Sequence, residues 1–156
     1  MNAKKVAVIM GSDSDWPILK PAVELLKQFG IASEVTVASA HRTPAKVRTF
    51  VESAPEKGVA AFIVGAGAAA HLAGVVASYT TLPVIGIPVK SSFMDGLDSL
   101  LSTVQMPTGI PVATVAVGGG DNAAYLAAQM LSIKYPILAE KLLAHHLRRR
   151  DVLDCR

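Results

Sequence analysis

The stretch VAVIMGSDSDW, residues 6–16, joins five consecutive apolar residues to a turn that holds one glycine, two serines and two aspartates. Five apolar residues in a row are typical of a strand whose two faces are both covered, as in a parallel sheet. An amphipathic helical pattern follows over residues 17–29, and Gly30 is a typical helix stop. A buried strand, a polar turn and a helix in this order predict the first unit of a parallel α/β fold.

The same alternation of apolar strands and helices continues along the chain. Strands are predicted over residues 6–10, 34–38, 60–64, 84–89 and 112–117, and helices over 17–29, 43–54, 71–79, 96–104, 122–133 and 136–150. Five strands with helices between them predict a three-layer α/β/α sandwich around a parallel five-stranded, flavodoxin-like sheet of order 2-1-3-4-5. Residues 1–156 contain no linker or repeat, so we expect a single domain. Its last helix is expected to pack on the outside or on a neighbouring subunit.

The composition is apolar for a chain of 156 residues, with 51% hydrophobic residues, 17% charged residues and a mean hydropathy of +0.43. Its apolar stretches are broken by glycines and fall short of the ~20 residues that a bilayer requires, so no membrane partner is expected. Excess apolar surface is usually buried against copies of the same chain, which predicts a homo-oligomer. The segment 122–133 favours a subunit contact, because its apolar residues go nearly all round the predicted helix.

Cysteine usage and charge indicate a cytoplasmic protein without a nucleic-acid partner. The chain runs into its first strand without a cleavable signal pattern. Its single cysteine, Cys155, is interpreted as a tail residue, and one cysteine can form neither an internal disulfide nor a thiolate metal site. The net charge is +3, and the arginines at 148–150 are interpreted as a solvated helix end. Aromatic residues are not interleaved with them, which argues against nucleic-acid binding.

Polar residues follow the first three predicted strands, at the edge of a parallel sheet where ligands bind. In the first of these loops, Ser12 and nearby backbone N–H groups can hold a phosphate at a helix N-terminus. Asp15 can accept hydrogen bonds from ribose hydroxyls. The alternative is that Ser14 or Asp15 only caps the following helix.

The second loop, residues 39–44, places an imidazole beside a guanidinium between a strand and a helix that Thr43 is expected to cap. Arg42 offers a planar fork suited to phosphate, and His41 offers a proton that exchanges near neutral pH. Ser39 belongs to the same candidate binding loop. The alternative is that His41 packs on the sheet edge and Arg42 pairs with a surface acid.

The third loop, residues 65–71, resembles a dinucleotide-binding fingerprint only weakly, because the acidic residue expected ~20 positions later is absent. Its small residues, Gly67 among them, are expected to let the backbone approach a compact ligand. His71 is either a ligand contact or a helix-end residue. The chain contains no P-loop, H-E-x-x-H, C-x-x-C or nucleophile elbow, so the functions that these motifs indicate are excluded.

Several motifs occur together in one order: MGSDSDW at 10–16, a segment at 37–44 that contains SAHRTP, residues 65–74, DSL at 98–100 and QMP at 105–107. By these motifs the sequence resembles the carboxyaminoimidazole ribonucleotide mutase family of purine synthesis, known as PurE. The resemblance extends over about residues 6–133, which is most of the chain.

The resemblance implies an α/β fold, an octamer and a cytoplasmic enzyme of purine biosynthesis. The implied reaction converts N5-carboxyaminoimidazole ribonucleotide to 4-carboxyaminoimidazole ribonucleotide without a cofactor or metal. The motifs imply a catalytic acid and base, and residues that bind the substrate or form the wall of its site. These are His41 as the catalytic residue, and Ser12, Asp15, Ser39, Arg42, Gly67 and His71 as the substrate-binding and wall residues.

This chain departs from the family pattern in the third loop. It reads GAAAHLAG over residues 67–74, where the family usually has GGAAHLPG. Ala68 therefore adds a methyl group beside the implied carbon dioxide pocket, and Ala73 loosens the first turn of the next helix. Two other functions remain open. One is an aminoimidazole ribonucleotide carboxylase that uses free carbon dioxide, although that branch typically has lysine in place of Arg42. The other is a non-catalytic ribonucleotide-binding module.

Overall fold

The structure is a computed structural model that describes the backbone of residues 5–154 and the side chains of residues 5–150. Cys155, which was interpreted as a tail residue, lies outside the described residues. The strands and helices are β1 (Lys5–Met10), α1 (Trp16–Phe29), β2 (Ala32–Val37), α2 (Pro44–Ser53), β3 (Val59–Gly67), α3 (Leu72–Ser78), β4 (Val84–Val89), α4 (Leu97–Val104), β5 (Ala113–Thr114), α5 (Gly120–Ser132) and α6 (Pro136–Asp154). Short 3-10 helices at Asp13–Asp15 and Pro55–Lys57 complete the regular structure of these residues.

The five strands form one sheet of order β2-β1-β3-β4-β5 in which every pair is parallel. Side chains of β1 alternate between two cores. Val6 and Val8 pack with residues of α1 and α5, whereas Ala7 and Ile9 pack with residues of α2 and α3. The predicted three-layer sandwich and its strand order are confirmed.

The last strand is much shorter than the predicted segment 112–117, because it pairs with β4 only at Ala113 and Thr114. Pro88 lies two residues beyond the last residue of β4 that pairs with β5, and it has no N–H to donate to the segment that follows β5. The backbone still follows β4 past this point, since the Gly118 N–H donates to the Pro88 carbonyl at 2.9 Å. A proline inside β4 therefore ends the regular ladder while the strand direction continues.

Helix α5 begins earlier than predicted, at Gly120, and Gly119 occupies its N-cap position without a side-chain cap. Asp121 and Asn122 therefore lie within the first turn of the helix and do not cap it. Gly120 lies so close to the Ile18 carbonyl of α1 that a side chain at this position would clash with it. This close approach packs α1 tightly against α5.

Helices of the same chain cover much of the apolar circumference of α5, because α1 packs on one side and α6 on another. Leu138 of α6 is fully buried, and the Lys141 ammonium donates to the Phe29 carbonyl at the end of α1 at 2.8 Å. Helices α1 and α6 therefore cover part of the surface for which a second subunit was expected, while Ile133 at the end of α5 stays 90% exposed and the subunit contact remains a prediction. Within residues 5–154, no helix combines the length and the apolar character needed to cross a bilayer.

Candidate active site

The three polar loops meet at the carboxyl edge of the sheet. The ladder on both sides of β1 continues beyond its last residue: the Gly11 N–H donates to the Gly65 carbonyl at 3.1 Å, and the Ala38 N–H donates to the Met10 carbonyl at 2.9 Å. Because β1 lies between β2 and β3, these bonds hold all three loops beside one another.

A cavity of about 500 Å³ lies between the loops, within the range typical of small-molecule sites. Its lining residues come from the three predicted loops, from α3 and from the segment after β4. They are Gly11, Ser12, Ser14, Asp15, Ser39, Ala40, His41, Arg42, Ala66, Gly67, Ala68, Ala69, Leu72, Lys90, Ser91 and Ser92. A larger groove of about 840 Å³ lies at the other edge of the sheet, and its lining residues include neither histidine nor arginine. The charged and imidazole groups therefore favour the smaller cavity as the functional site.

Three further residues line the cavity without having been predicted from the sequence: Lys90, Ser91 and Ser92. They follow β4 as the other loops follow β1, β2 and β3, so their position after an apolar strand was an available signal. Lys90 also brings a second cation to the cavity, and it pairs with the exposed carboxylate of Asp95.

The first loop forms a capping box around a single turn of 3-10 helix. The Ser14 N–H donates to the Ser12 hydroxyl at 3.4 Å, and the Ser12 N–H donates to the Asp15 carboxylate at 3.1 Å. Asp15 occupies the N-cap position of α1, yet its side chain makes no capping bond to that helix. The side chains of Ser12 and Asp15 therefore shape the loop itself, and the alternative of a simple cap for α1 is not what the structure shows.

The Asp15 side chain is buried, with 7% of the residue exposed. Burial raises its pKa above the ordinary value of 3.8, and the nearby Asp13 charge adds to this, against the opposing hydrogen bond from the Ser12 N–H. Burial thus removes water molecules that would otherwise solvate the Asp15 carboxylate. A ligand hydroxyl that donated to it would replace part of that lost hydration.

The second loop is fixed by its own hydrogen bonds. The Ser39 N–H donates to the Thr43 hydroxyl at 2.9 Å, and the Arg42 N–H donates to the Ser39 hydroxyl at 3.2 Å. Thr43 is the N-cap residue of α2, but its hydroxyl bonds Ser39 instead of the helix. The Arg42 guanidinium donates to the Gly11 carbonyl at 3.4 Å, and it forms no ion pair with any of the side chains described. Its charge therefore remains available to an anion.

His41 is exposed at the cavity and does not pack on the sheet edge. Its Nε2 lies 2.9 Å from Nδ1 of His71, and the two rings are nearly perpendicular. His71 also occupies the N-cap position of α3, so it is both a helix-end residue and a partner of the candidate catalytic group. A hydrogen bond between two imidazoles needs one N–H and one bare nitrogen, so each ring constrains the tautomer of the other.

The third loop approaches β4 closely at Gly67, where an added Cβ would lie 3.3 Å from the Val89 carbonyl oxygen. A side chain at this position would therefore crowd the backbone of β4. The next residue, Ala68, has a positive φ of 52°, which is uncommon for a residue with a side chain.

The fold and the site together define a flavodoxin-like α/β enzyme with its candidate active site at the carboxyl edge of the sheet. The chain belongs to the AIR carboxylase family, whose sequence model matches residues 5–151. This confirms the family resemblance carried by the loop motifs.

Relatives named N5-carboxyaminoimidazole ribonucleotide mutase match nearly the whole chain. The Saccharolobus solfataricus protein is 56% identical over 153 residues, which cover 97% of each chain. The Thermotoga maritima protein is 54% identical and covers 96% of this chain and 88% of its own length. Among solved structures, PurE of Treponema denticola has a TM-score of 0.87 at 28% identity, covering 96% of this chain and 94% of that one.

The raised pKa of Asp15 predicts a pH-dependent effect of the variant Asp15→Asn. The folded protein binds a proton at Asp15 more readily than the unfolded chain does. Its contribution to the free energy of unfolding is therefore complete below the ordinary pKa and declines as the pH rises through the folded pKa. Asparagine keeps an oxygen for the Ser12 N–H but carries no charge. The unfolding free energy of Asp15→Asn minus that of the wild type should therefore increase with pH.

Urea unfolding at about pH 3 and about pH 7 would measure this difference. Asp13→Asn, which replaces an exposed carboxylate two residues away, is the control. A difference for Asp15→Asn that stays constant or shrinks with rising pH would contradict the prediction.

Proposed function

We propose that this chain is an N5-carboxyaminoimidazole ribonucleotide mutase, a cytoplasmic isomerase of purine biosynthesis formed by a single catalytic domain. The observation that carries the proposal is that His41 lines one cavity together with Arg42 and Asp15 and contacts His71, which is not itself a lining residue. Relatives that are more than 50% identical to this chain over the aligned residues carry that name. The alternative of a non-catalytic ribonucleotide-binding module does not account for the paired imidazoles.

Binding of the ribonucleotide is assigned to groups around the cavity. Arg42, which has no carboxylate partner among the side chains described, offers its planar fork to the phosphate together with the Ser12 hydroxyl. The buried Asp15 carboxylate accepts hydrogen bonds from ribose hydroxyls. Ser39 fixes the backbone of Arg42 and so places the fork.

His41 performs both proton transfers. As an acid it gives a proton to N5 of the substrate while the bond between N5 and the carboxylate carbon breaks, which releases carbon dioxide and leaves an amine. Ring carbon C4 then attacks carbon dioxide and forms the new carbon–carbon bond. Neutral His41 takes the proton from C4, which restores the aromatic ring and regenerates the acid.

Carbon dioxide must stay in place between these two steps. The wall next to His41 consists of small apolar residues, Gly67, Ala68 and Ala69, which offer it no hydrogen bonds from their side chains. Keeping the molecule beside C4 replaces a bimolecular encounter with a positioned one. The mutase therefore needs confinement and a proton carrier, and no metal ligand set is part of this mechanism.

The form in which the carboxyl group arrives tests the proposed function against the carboxylase alternative. Arg42 and the mutase relatives favour the N-carboxylated substrate. Purified protein should form 4-carboxyaminoimidazole ribonucleotide faster from the carbamate than from aminoimidazole ribonucleotide with abundant bicarbonate. Faster turnover from the bicarbonate mixture would instead assign the protein to the carboxylase branch. If neither substrate yielded product, the proposed enzymatic function would be wrong.

We also propose an assembly larger than a dimer. The family resemblance implies that this assembly is an octamer. Helix α4 presents Leu97, Leu101 and Val104 on one face, each with about half of its surface exposed in the single chain, and Phe93 before it is 86% exposed. Apolar surface of this kind is usually covered by another protein.

Sedimentation of the wild type at micromolar concentration should show a species larger than a dimer. Leu101→Glu should reduce that species, because a charge would be buried on the α4 face, whereas Lys20→Glu on the exposed face of α1 is the control. A folded wild-type monomer would rule out the assembly.

The proposed role of His41 predicts that His41→Asn abolishes turnover and leaves binding largely intact. Asparagine retains hydrogen-bonding capacity but cannot exchange a proton near neutral pH. A single acid–base group contributes ~10² to 10⁴-fold to the rate. Because both proton steps depend on His41, kcat should fall by about 10⁴-fold or more. Steady-state kinetics would measure the change in kcat and KM.

Arg42→Ala is the contrasting variant, since it removes a charge remote from the reacting carbon and should chiefly raise KM. If His41→Asn kept a tenth of the wild-type kcat, another group would carry the proton and the mechanism would be wrong.

A further inference from the structure

Ser102 on α4 bonds the turn that leads into His71. Its hydroxyl oxygen accepts a hydrogen bond from the Ala70 N–H at 3.0 Å. The same hydroxyl lies 2.7 Å from the Asp98 carbonyl oxygen and 3.2 Å from the Ala68 carbonyl oxygen. A serine has one hydrogen to donate and two lone pairs, so it can hold the turn and its own helix at once. Ser102 is half-buried and is not among the residues that line the cavity.

The turn that Ser102 holds is strained. Ala68 has a positive φ of 52°, a conformation that residues with a side chain rarely adopt. The backbone bonds within the turn are short-range: the Ala70 N–H also lies 2.9 Å from the Ala68 carbonyl, and the His71 N–H donates to the Ala69 carbonyl at 2.9 Å. The Thr103 hydroxyl of α4 makes only a long contact with the turn, 3.5 Å from the Ala70 carbonyl. Strain of this kind persists only where surrounding structure fixes it. A bond from a different helix supplies such a restraint.

Helix α4 is itself anchored beside the cavity. The Ser91 hydroxyl lies 2.7 and 2.9 Å from the two oxygens of the Asp98 carboxylate, which also accepts the Ser99 N–H at 2.9 Å. The Thr103 hydroxyl is buried and donates to the Ser99 carbonyl at 2.7 Å. Ser102 therefore projects from a fixed helix whose first turn is tied to a lining residue, Ser91.

We propose that Ser102 is a positioning residue for the histidine pair. By holding the turn at Ala68–Ala70, it sets the position of His71 and therefore the 2.9 Å contact between Nδ1 of His71 and Nε2 of His41. The consequence for catalysis rests on the proposed function, whereas the coupling between Ser102 and the two imidazoles does not.

The coupling matters because a neutral imidazole carries its hydrogen on one nitrogen only. When His41 is the cationic acid, both of its nitrogens carry a hydrogen, so Nε2 can donate to His71 while Nδ1 gives its proton away. When neutral His41 still donates from Nε2 to His71, its Nδ1 is bare and can accept a proton. The position of His71 thus decides how readily His41 exchanges between these two forms.

The test compares three variants in the ligand-free protein and in turnover. Ser102→Ala removes the hydroxyl, Ser102→Thr retains it, and Ser132→Ala is the matched control, because the Ser132 hydroxyl also bonds a carbonyl of its own helix, that of Gln129 at 2.7 Å. The imidazole ¹⁵N chemical shifts of His41 and His71 report their tautomers, and steady-state kinetics give kcat and KM separately.

Ser102→Ala should shift the ¹⁵N signals of both histidines and lower kcat about tenfold, with KM changed by less than about twofold, since misplacement of a reacting group acts mainly on the chemical step. Ser102→Thr and Ser132→Ala should match the wild type in both measurements. Unchanged imidazole signals in Ser102→Ala would overturn the proposal whatever happens to kcat. So would a Ser102→Thr variant that behaves like Ser102→Ala, because the hydroxyl would then not be the cause. If the wild type shows no mutase activity, the proposed function fails, while the imidazole signals still decide the role of Ser102.

Discussion

Two backbone hydrogen bonds at the end of β1 determine the geometry of the site. One joins Gly11 to Gly65 and the other joins Ala38 to Met10, so the sheet ladder continues on both sides of β1 after the strand has ended. The polar loops after β1, β2 and β3 cannot separate while these bonds persist. Groups that are thirty positions apart in the chain, His41 and His71, therefore meet at 2.9 Å. Parallel pairing thus creates the site as well as the core.

Two residues at the cavity adopt states that destabilise the fold, unlike the apolar residues of the core. Asp15 keeps a carboxylate in a buried position that raises its pKa, and Ala68 keeps a positive φ. Local rules of stability are commonly broken at functional sites, where surrounding structure compensates for them. Here the compensation is visible: the Ser12 N–H bonds Asp15, and the Ser102 hydroxyl bonds the turn after Ala68. A hydrogen bond from a neighbouring residue therefore stabilises each of these unfavourable features.

The sequence was sufficient for the sheet and for most of the site because both depend on short-range patterns. Apolar runs identified the strands, and the position of polar residues after them identified Ser12, Asp15, His41 and Arg42. What the sequence could not supply depends on pairing between distant segments. Pro88 shortened β5 because its missing N–H faces that strand, and the contact between the histidines required the path of two loops. The roles assigned to the site residues remain predictions, because proton transfer and substrate binding depend on contacts with the substrate.

The identity of the group beside His41 has a chemical consequence. A carboxylate at the position of His71 could only accept a hydrogen bond, so it would keep a hydrogen on Nε2 of His41 throughout the reaction. An imidazole can either donate or accept, so it can accompany His41 through both of its tautomers. In the proposed mechanism His41 gives a proton to a nitrogen and then takes one from a carbon, and both transfers can use Nδ1 while Nε2 keeps its hydrogen and donates to His71. A partner that accepts from Nε2 is therefore sufficient for the proposed turnover, and the imidazole of His71 differs from a carboxylate in that it can also pair with the other tautomer of His41.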